Sequence, residues 1–418
     1  MSQSALFLPF EEARQALIDD NTPCVESETV PLKLAHQRII AEPIIADINV
    51  PSYNNSAMDG YAFKFNDLSV YSKFKLLGTA FAGNAYSGQW QQGGCIRIMT
   101  GAPIPEGFDT VVMQEQAIVN NTVDGDFITF SSPSKKAQNV RYQGEDITKG
   151  ETIFTKGHRL KAADIGMLAS LGIASVNVYK PLKVAILSTG DEIFEPGCQR
   201  ANEGIFDSNR YSSACLLNNL GFEVLDFGII NDDPNALKAA FEQAIESADV
   251  VISSGGVSVG EADHTKAVLT QLGSMQFWKV AIKPGKPFAY GHFEKRSEHN
   301  YAKRFMGLPG NPVSSLVTLH QLALPALRKM AGESITATPN LRLPLASAVS
   351  KKTGRTEFMR ATLSHTEAGT VVTPLKGQGS GVLSTFSKST GYLILDANQS
   401  QWQSGDIVAF QPFDIALN

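Results

Sequence analysis

KVAILSTGDE, residues 183–192, opens the stretch of sequence that decides the fold. Its first six residues predict a buried strand, and the polar TGDE predicts the loop where that strand ends. The pattern then repeats, with predicted strands at Phe222–Ile230, Asp249–Ser253, Phe277–Ile282 and Arg304–Leu308 and predicted helices at Asn209–Asn219, Asn235–Ser247, Asp263–Leu272 and from PGNP to about Met330. Strands that alternate with helices of this length predict βαβ units around a buried parallel sheet.

The segments on either side have other patterns. Phe10–Asp20 has the apolar spacing of a helix with one buried face, and Ala162–Leu171 is also predicted to be helical. Short β-prone runs separated by turn residues predict an inserted β module, and short strands after Ala331 predict a small β-barrel or sandwich. The predicted domains are an elongated helical N-terminal domain (1–50 with 145–178), a β-rich insert (51–144), an α/β domain (179–330) and a C-terminal β-barrel (331–418).

Composition excludes several classes of protein. The chain has 418 residues, of which 43% are hydrophobic and only 18% charged, so a disordered or tail-like protein is excluded. The net charge of -5, without a basic block, disfavours general nucleic-acid binding. The acidic start disfavours a signal peptide, and the absence of a run of about 20 apolar residues disfavours a membrane span. Four cysteines without CxxC spacing favour simple packing residues in a reducing cytoplasm.

Polar residues gather where the predicted strands end. The residues at these ends are Asp191, Glu192, Asp232, Asp233, Gly255, Gly256, Gly260, Asp263, Lys283, Gly285, Lys286, Pro309, Gly310, Asn311 and Pro312. Ligands of open α/β sheets bind beyond the carboxyl ends of the strands. We therefore expect one rim that holds a phosphate-bearing ligand and a divalent cation.

Each part of this rim also has a plainer explanation. The glycine loop Ser254–Gly260 fits neither a Walker motif nor a dinucleotide fingerprint, and an unliganded tight turn explains it equally well. Asp233 precedes Pro234 and could cap the next helix. Magnesium takes one or two carboxylates, so not all of the acids can be ligands.

The basic and nucleophilic residues point to electrostatic chemistry. Lys279, Lys283 and Lys286 lie within eight positions, and a cationic pocket for oxyanions is the sharper alternative to a solvated surface. The seven histidines lack metal-ligand spacing, and no GxSxG-like nucleophile motif is present. These patterns favour positioning and metal-assisted stabilisation over covalent acyl chemistry.

Eight motifs occur together along the chain: Pro51-SYNNSAMDGYAF, Met99-TGAPIPEGFDTVVMQE, Arg141-YQGEDI, Ser188-TGDE, Ser254-GGVSVGEADH, Lys283-PGKP, Gly307-LPGNPVSS and Gly354-RTEFMR. With them the chain resembles the MoeA family of molybdopterin molybdenumtransferases, which is also the gephyrin E-domain family, over essentially its full length. The α/β part is expected to resemble molybdopterin adenylyltransferase.

The resemblance implies an activity and its partners. Family members take adenylylated molybdopterin and molybdate, insert molybdenum with the help of Mg²⁺, and release AMP to give molybdenum cofactor. It further implies a homodimer with a shared active site, and exchange with a molybdopterin adenylyltransferase and with acceptor molybdoenzymes. Two alternatives stay open, an adenylyltransferase and a non-catalytic gephyrin-like scaffold.

The resemblance also implies the site residues. The catalytic positions are Glu192, Asp59, Thr100 and Asp146. The substrate-binding positions are Asp232, Asp263, Lys279, Lys283, Pro309, Pro312, Arg141, Arg360 and Ser380, together with Ser254, Gly255 and Gly256 of the glycine loop. Asp232 and Asp263 are the expected Mg²⁺ ligands, and Lys279, Lys283 and Arg360 the expected oxyanion ligands. Asp59, Thr100 and Asp146 are expected to reach the rim across a dimer interface, although Asp59 alone would be read as a turn residue before Gly60.

Overall fold

A computed structural model describes residues 7–131, 135–201, 203–256, 264–293, 301–336, 339–367, 369–414 and 416–417. The chain divides into two compact units, the first formed by Met1–Glu42, Lys156–Lys161 and Val176–Asn418, the second by Pro43–Thr155 and Ala162–Ser175. The finer division into four domains stays a prediction. No helix in the described part of the chain is long and apolar enough to cross a bilayer.

A six-stranded sheet is the centre of the first unit. Its strands are β1 (Lys183–Thr189), β2 (Glu223–Ile230), β3 (Val250–Ser254), β4 (Gly273–Lys279), β5 (Pro287–Phe293) and β6 (Arg304–Leu308). They lie in the order β2-β1-β3-β6-β5-β4. The pairs β1–β2, β1–β3 and β3–β6 are parallel, which confirms the parallel sheet predicted from the sequence.

The other edge of the sheet corrects the prediction. The predicted strand Phe277–Ile282 is divided between β4 and a separate two-residue strand, Ile282–Lys283, and β5 has no counterpart in the prediction. The pairs β4–β5 and β5–β6 are antiparallel. Parallel neighbours need a long crossover, usually a helix, whereas the turn between β4 and β5 is too short for one, so an antiparallel edge results.

Side chains of the parallel strands are buried on both faces of the sheet. Val184 and Ile186 of β1 belong to one hydrophobic cluster, and Ala185 and Leu187 belong to another. Alternate residues of a strand point to opposite faces, so a strand covered on both sides needs an unbroken apolar run. This explains why KVAILS predicts the strand so well.

Helices cover both faces. Their bounds are Phe10–Asp19, Asn209–Asn219, Pro234–Ser247, His264–Leu272, Pro312–Thr318 and Leu324–Met330, and a π-helical turn at Leu319–Ala323 joins the last two. Asp233 Oδ1 accepts a hydrogen bond from Ala236 N at 2.8 Å, which confirms the helix cap considered above. Short strands lie at Ser27–Pro31 and Ser175–Tyr179.

The C-terminal part of the first unit is a small β-barrel. Its main strands are Leu341–Pro344, Thr356–Thr366, Gly369–Pro374, Gly391–Leu395 and Ile407–Pro412, with a short helix at Ser384–Lys388 and a further strand pair at Val349–Ser350 and Gln401–Trp402. A bridge between Leu345 and Val372 closes the sheet. The strand Ile282–Lys283 pairs in parallel with Thr356 and Glu357, so a segment that follows β4 extends the barrel.

The second unit contains a mixed six-stranded sheet. In sheet order its strands are Thr110–Met113, Gly60–Phe63, Gly94–Ile98, Phe74–Ala80, Gly125–Phe130 and Ala117–Thr122. Two-residue strands at Ile44–Ile45, Asn55–Ser56 and Val140–Arg141, the strand Thr152–Phe154 and the helix Ala162–Ser170 complete it. The six strands of this sheet lie between Gly60 and Phe130, so the β-rich character predicted for this part of the chain is confirmed, while the domain bounds 51–144 stay a prediction.

Candidate functional site

A pocket of about 1110 Å³ lies beyond the carboxyl ends of the parallel strands. Glu192 follows β1, Asp232 follows β2, and the turn Ser254–Gly256 follows β3; all of them line the pocket. Pro309 and Pro312, after β6, line it as well. The strand ends that the sequence pattern assigns to one rim therefore meet at one cavity, as expected for an open α/β sheet.

Glycine is required at the turn after β3. Gly255 and Gly256 have φ angles of +93° and +65°. A Cβ on Gly255 would lie 2.7 Å from Thr189 O, and one on Gly256 would lie 2.4 Å from Thr265 Oγ1. The bare backbone thus packs directly against Thr189 and Thr265, and a side chain at either position would clash with them. Residues 257–263, and Asp263 among them, lie outside the described residues.

Carboxylates concentrate on one side of the pocket. Burial raises the pKa of Asp232, and the neighbouring charges of Asp191 and Glu192 raise it further, against an opposing effect of His264. Asp232 N also donates a hydrogen bond to Asp191 Oδ1 at 3.1 Å. A bound cation would relieve this repulsion, so the donor set fits a hard divalent ion that takes one or two carboxylates. Within the described residues, no three His, Cys, Asp or Glu side chains are grouped closely enough to hold a metal by themselves.

Cationic side chains line the other side. These are Lys283, Lys286 and Arg355, with the hydroxyl-bearing Ser380 beside them. Lys283 Nζ lies 2.9 Å from Glu357 Oε1, and Glu357 is buried in the barrel. The other oxygen, Glu357 Oε2, is buried without a hydrogen-bond partner among the described residues. The barrel therefore fixes where the lysine lies.

Two predicted oxyanion ligands lie elsewhere. Lys279 ends β4 opposite Pro287, and Arg360 is buried in the barrel; among the described residues that line the pocket, neither is present. Arg360 Nη2 donates to Gly379 O at 3.3 Å, and Gln378 Nε2 donates to Arg360 O at 2.8 Å. Arg360 thus holds the Gln378–Gly381 segment, which does line the pocket.

Asn209 is a pocket residue that the sequence patterns did not reveal. Its Nδ2 donates to Ser254 Oγ and to Gly310 O, both at 2.7 Å, so it ties the turns after β3 and β6 together. Asn209 is only 8% exposed, and its Oδ1 is buried without a partner among the described residues. An asparagine at the start of a helix looks like an ordinary end-of-helix residue in sequence, whereas the missed Arg355 stands inside the motif Gly354-RTEFMR.

The remaining predicted residues lie in the second unit. Asp59 Oδ1 accepts hydrogen bonds from Thr100 N and Thr100 Oγ1, both at 2.8 Å, and these bonds lower the pKa of Asp59. Arg141 pairs with Asn55, and Asp146 N donates to Val50 O at 3.0 Å. Asp59 ends the segment 50–59, and the other three residues contact that segment through the pairings just described. All four predicted residues are exposed to solvent.

Comparison with known proteins matches nearly the whole chain. The profile of the MoeA N-terminal region (domain I and II) matches residues 8–172, that of a probable molybdopterin binding domain matches 185–329, and that of the MoeA C-terminal region (domain IV) matches 342–413.

Relatives and solved structures agree with the profiles. The molybdopterin molybdenumtransferase of Haemophilus influenzae is 43% identical over 98% of this chain and 100% of its own. That of Nostoc sp. is 36% identical over 73% of this chain and 70% of its own. The MoeA molybdopterin biosynthesis protein of Pyrococcus horikoshii has the same fold, with a TM-score of 0.80 at 28% identity over 97% of this chain and 100% of that one. The similarity extends over the full length of the chain and includes the α/β domain whose strand ends form the pocket. The chain therefore belongs to the MoeA family of molybdopterin molybdenumtransferases.

Proposed function

We propose that this protein inserts molybdenum from molybdate into adenylylated molybdopterin, releases AMP and yields molybdenum cofactor. The observation that carries the proposal is the single pocket in which carboxylates, bare backbone amides and cationic side chains meet. A nucleotide conjugate and an oxyanion are both negatively charged, and such a lining can hold the two at once. The similarity to the Haemophilus influenzae enzyme over both whole chains supports the same assignment.

Different parts of the pocket lining would bind molybdate and the phosphates of the conjugate. Lys283, Lys286 and Arg355 would bind molybdate, whose charge they neutralise, and Ser380 would donate a hydrogen bond to it. The glycine turn after β3 would take the phosphates of the conjugate, because its amides can approach them closely. Lys279 and Arg360 stay predicted oxyanion ligands from the resemblance, and for Arg360 the contacts above favour an indirect effect through Gln378–Gly381.

The acidic side fits Mg²⁺. Asp232, with Asp263 by resemblance, would hold the ion against the phosphates. When bound, Mg²⁺ neutralises phosphate charge and acts as a Lewis acid. Glu192 stands beside Gly190, where a Cβ would come within 2.7 Å of Glu192 Oε2. We propose that Glu192 takes a proton from water as the water oxygen bonds to one phosphorus of the phosphoanhydride. The bond from that phosphorus to the bridging oxygen then breaks, so that AMP leaves with one phosphate and molybdopterin keeps the other.

The activity is tested directly with the purified protein. Adenylylated molybdopterin, molybdate and Mg²⁺ should give molybdenum cofactor and AMP in equal amounts, and chelation of Mg²⁺ should stop both. Molybdopterin with ATP should give no adenylylated product. Adenylylation without insertion would favour the adenylyltransferase, and failure of both reactions would favour the scaffold.

We also propose a homodimer whose sites combine residues of both protomers, with Asp59, Thr100, Asp146 and Arg141 of one completing the pocket of the other. Support comes from the exposure of these four residues on the second unit. Product would pass to acceptor molybdoenzymes, and a molybdopterin adenylyltransferase would supply the substrate. A cytoplasmic location stays a prediction from the cysteine pattern.

A doubly tagged heterodimer tests the shared site. One protomer carries Asp59→Ala and the other Glu192→Gln, and both homodimers should be inactive. If each site uses both protomers, one of the two sites is intact, and the heterodimer should have about half of the wild-type activity. An inactive heterodimer, or light scattering at 45.1 kDa rather than twice that mass, would contradict the proposal.

A further inference from the structure

A long loop, which we call the excursion, joins the end of β1 to the helix Asn209–Asn219. Two short strands within it, Ile193–Phe194 and Ile205–Phe206, pair in parallel. Ile205 N donates to Glu192 O at 2.8 Å, which places the second strand directly beside the candidate catalytic residue. A Cβ on Gly204 would lie 2.3 Å from the Phe194 ring, so glycine is needed for this close approach.

The excursion contributes an apolar surface to the lining of the pocket. Ile193, Ile205 and Phe206 all line the pocket, and we call these three residues the Phe206 shelf. Ile205 is 55% and Phe206 47% exposed. The guanidinium of Arg200 lies 5.6 Å from the centre of the Phe206 ring. Isolated exposed apolar side chains are common, but neighbouring ones in the lining of a ligand-sized cavity indicate a contact surface.

A buried arginine holds the shelf in place through three ion pairs. Arg210 is 5% exposed on its side chain and pairs with Glu195 from the excursion, with Asp226 from β2 and, at 3.0 Å, with Asp207, which follows the shelf directly. Asp207 N also donates to Phe194 O at 2.9 Å. The shelf is thus anchored at both ends, so a ligand that binds to it has little conformational freedom of the shelf to restrict.

We propose that the Phe206 shelf stacks against a planar heteroaromatic ring of the substrate and thereby determines which nucleotide or pterin conjugate is accepted. The inference rests on the proposed function and deepens it. Aromatic side chains stack on flat rings irrespective of hydrogen-bond pattern, whereas the phosphates are held by polar groups. Adenylylated molybdopterin contains two such rings, adenine and the pterin, and the shelf serves one of them.

Calorimetry with three probes separates the two rings. AMP carries the base and a phosphate, molybdopterin carries the pterin and a phosphate, and ribose 5-phosphate carries the phosphate without either ring. Phe206→Ala should weaken binding of one ring-bearing probe about tenfold, the typical effect of losing one stacked ring. Phe206→Tyr should restore it. Ile407→Ala, which removes another apolar side chain of 55% exposure from the barrel, is the matched control and should change nothing.

Each outcome decides the proposal. Weaker AMP binding alone assigns the shelf to adenine, and weaker molybdopterin binding alone assigns it to the pterin. Three results would overturn the inference: an equal loss of affinity for ribose 5-phosphate, no loss of affinity for any probe, or no binding of any probe by the wild-type protein. Because binding is measured apart from turnover, a Phe206-dependent AMP complex in a protein that inserts no molybdenum would refute the proposed function while leaving the shelf assignment intact.

Discussion

Glu192→Gln is expected to remove molybdenum insertion while the fold is kept. Glu192 lies at the end of β1, lines the pocket and contributes to the raised pKa of Asp232, so its carboxylate is close to the other acids of the rim. Loss of a positioned acid or base lowers a rate by about 10²–10⁴-fold. The amide keeps the size of the side chain and cannot take a proton from water. The rates of AMP release and of molybdenum cofactor formation should fall together.

The control for this variant lies close by. Glu203 is an exposed acid of the same excursion, outside the pocket lining, and Glu203→Gln should retain the wild-type rate. Circular dichroism and thermal unfolding should show both variants folded. Wild-type rates of cofactor formation by Glu192→Gln would remove Glu192 from the mechanism, and AMP release without insertion would show that it couples the two steps.

Glu333→Gln is expected to destabilise the first unit by about 3–5 kcal/mol, the usual cost of breaking a buried ion pair from one side. Glu333 is almost fully buried, at 5% exposure of its side chain. Its Oε2 accepts from Arg159 Nη2 at 2.6 Å and its Oε1 from Arg328 Nη2 at 2.5 Å. The amide would leave two guanidinium groups without a counter-charge. Denaturant unfolding at neutral pH measures the difference.

The ion pairs of Glu333 also predict how the stability of the fold depends on pH. Burial acts to raise the pKa of Glu333, but hydrogen bonds and charges from Arg328 and Arg159 outweigh it and hold the pKa below its ordinary value of 4.5. A lowered native pKa stabilises the fold above that ordinary value, and the stabilisation is lost as the pH falls through the native pKa. The gap between wild type and variant should therefore shrink in acid. Glu26→Gln breaks an exposed pair with Lys180 and should leave stability unchanged; unfolding curves of Glu333→Gln that coincide with wild type would contradict the prediction.

Sequence patterns predict the parts of this fold that depend on local order. The strand KVAILS and the helix Asn209–Asn219 are where periodicity places them, and the polar strand ends meet because parallel strands share an edge. The antiparallel strand β5 escaped prediction because its partners are chosen by loop length and tertiary pairing, which a local pattern does not record.

The same distinction applies to the site. Glu192 and Asp232 directly follow strands, so their place could be inferred. Arg355 reaches the pocket from the barrel, more than sixty residues after Lys283 in the chain, and only the folded structure brings them to one wall. Asn209 acts through hydrogen bonds to Ser254 and Gly310, partners that no spacing in the sequence connects to it.

The two-residue strand Ile282–Lys283 has a mechanical consequence. Its backbone is bonded into the barrel through Thr356 and Glu357, and its lysine side chain is held by Glu357 while it lines the pocket. A displacement of the barrel would therefore carry Lys283 with it and alter the charge that an oxyanion meets. A macromolecule that binds the barrel and shifts it would thus change the position of Lys283 in the pocket without entering the pocket itself.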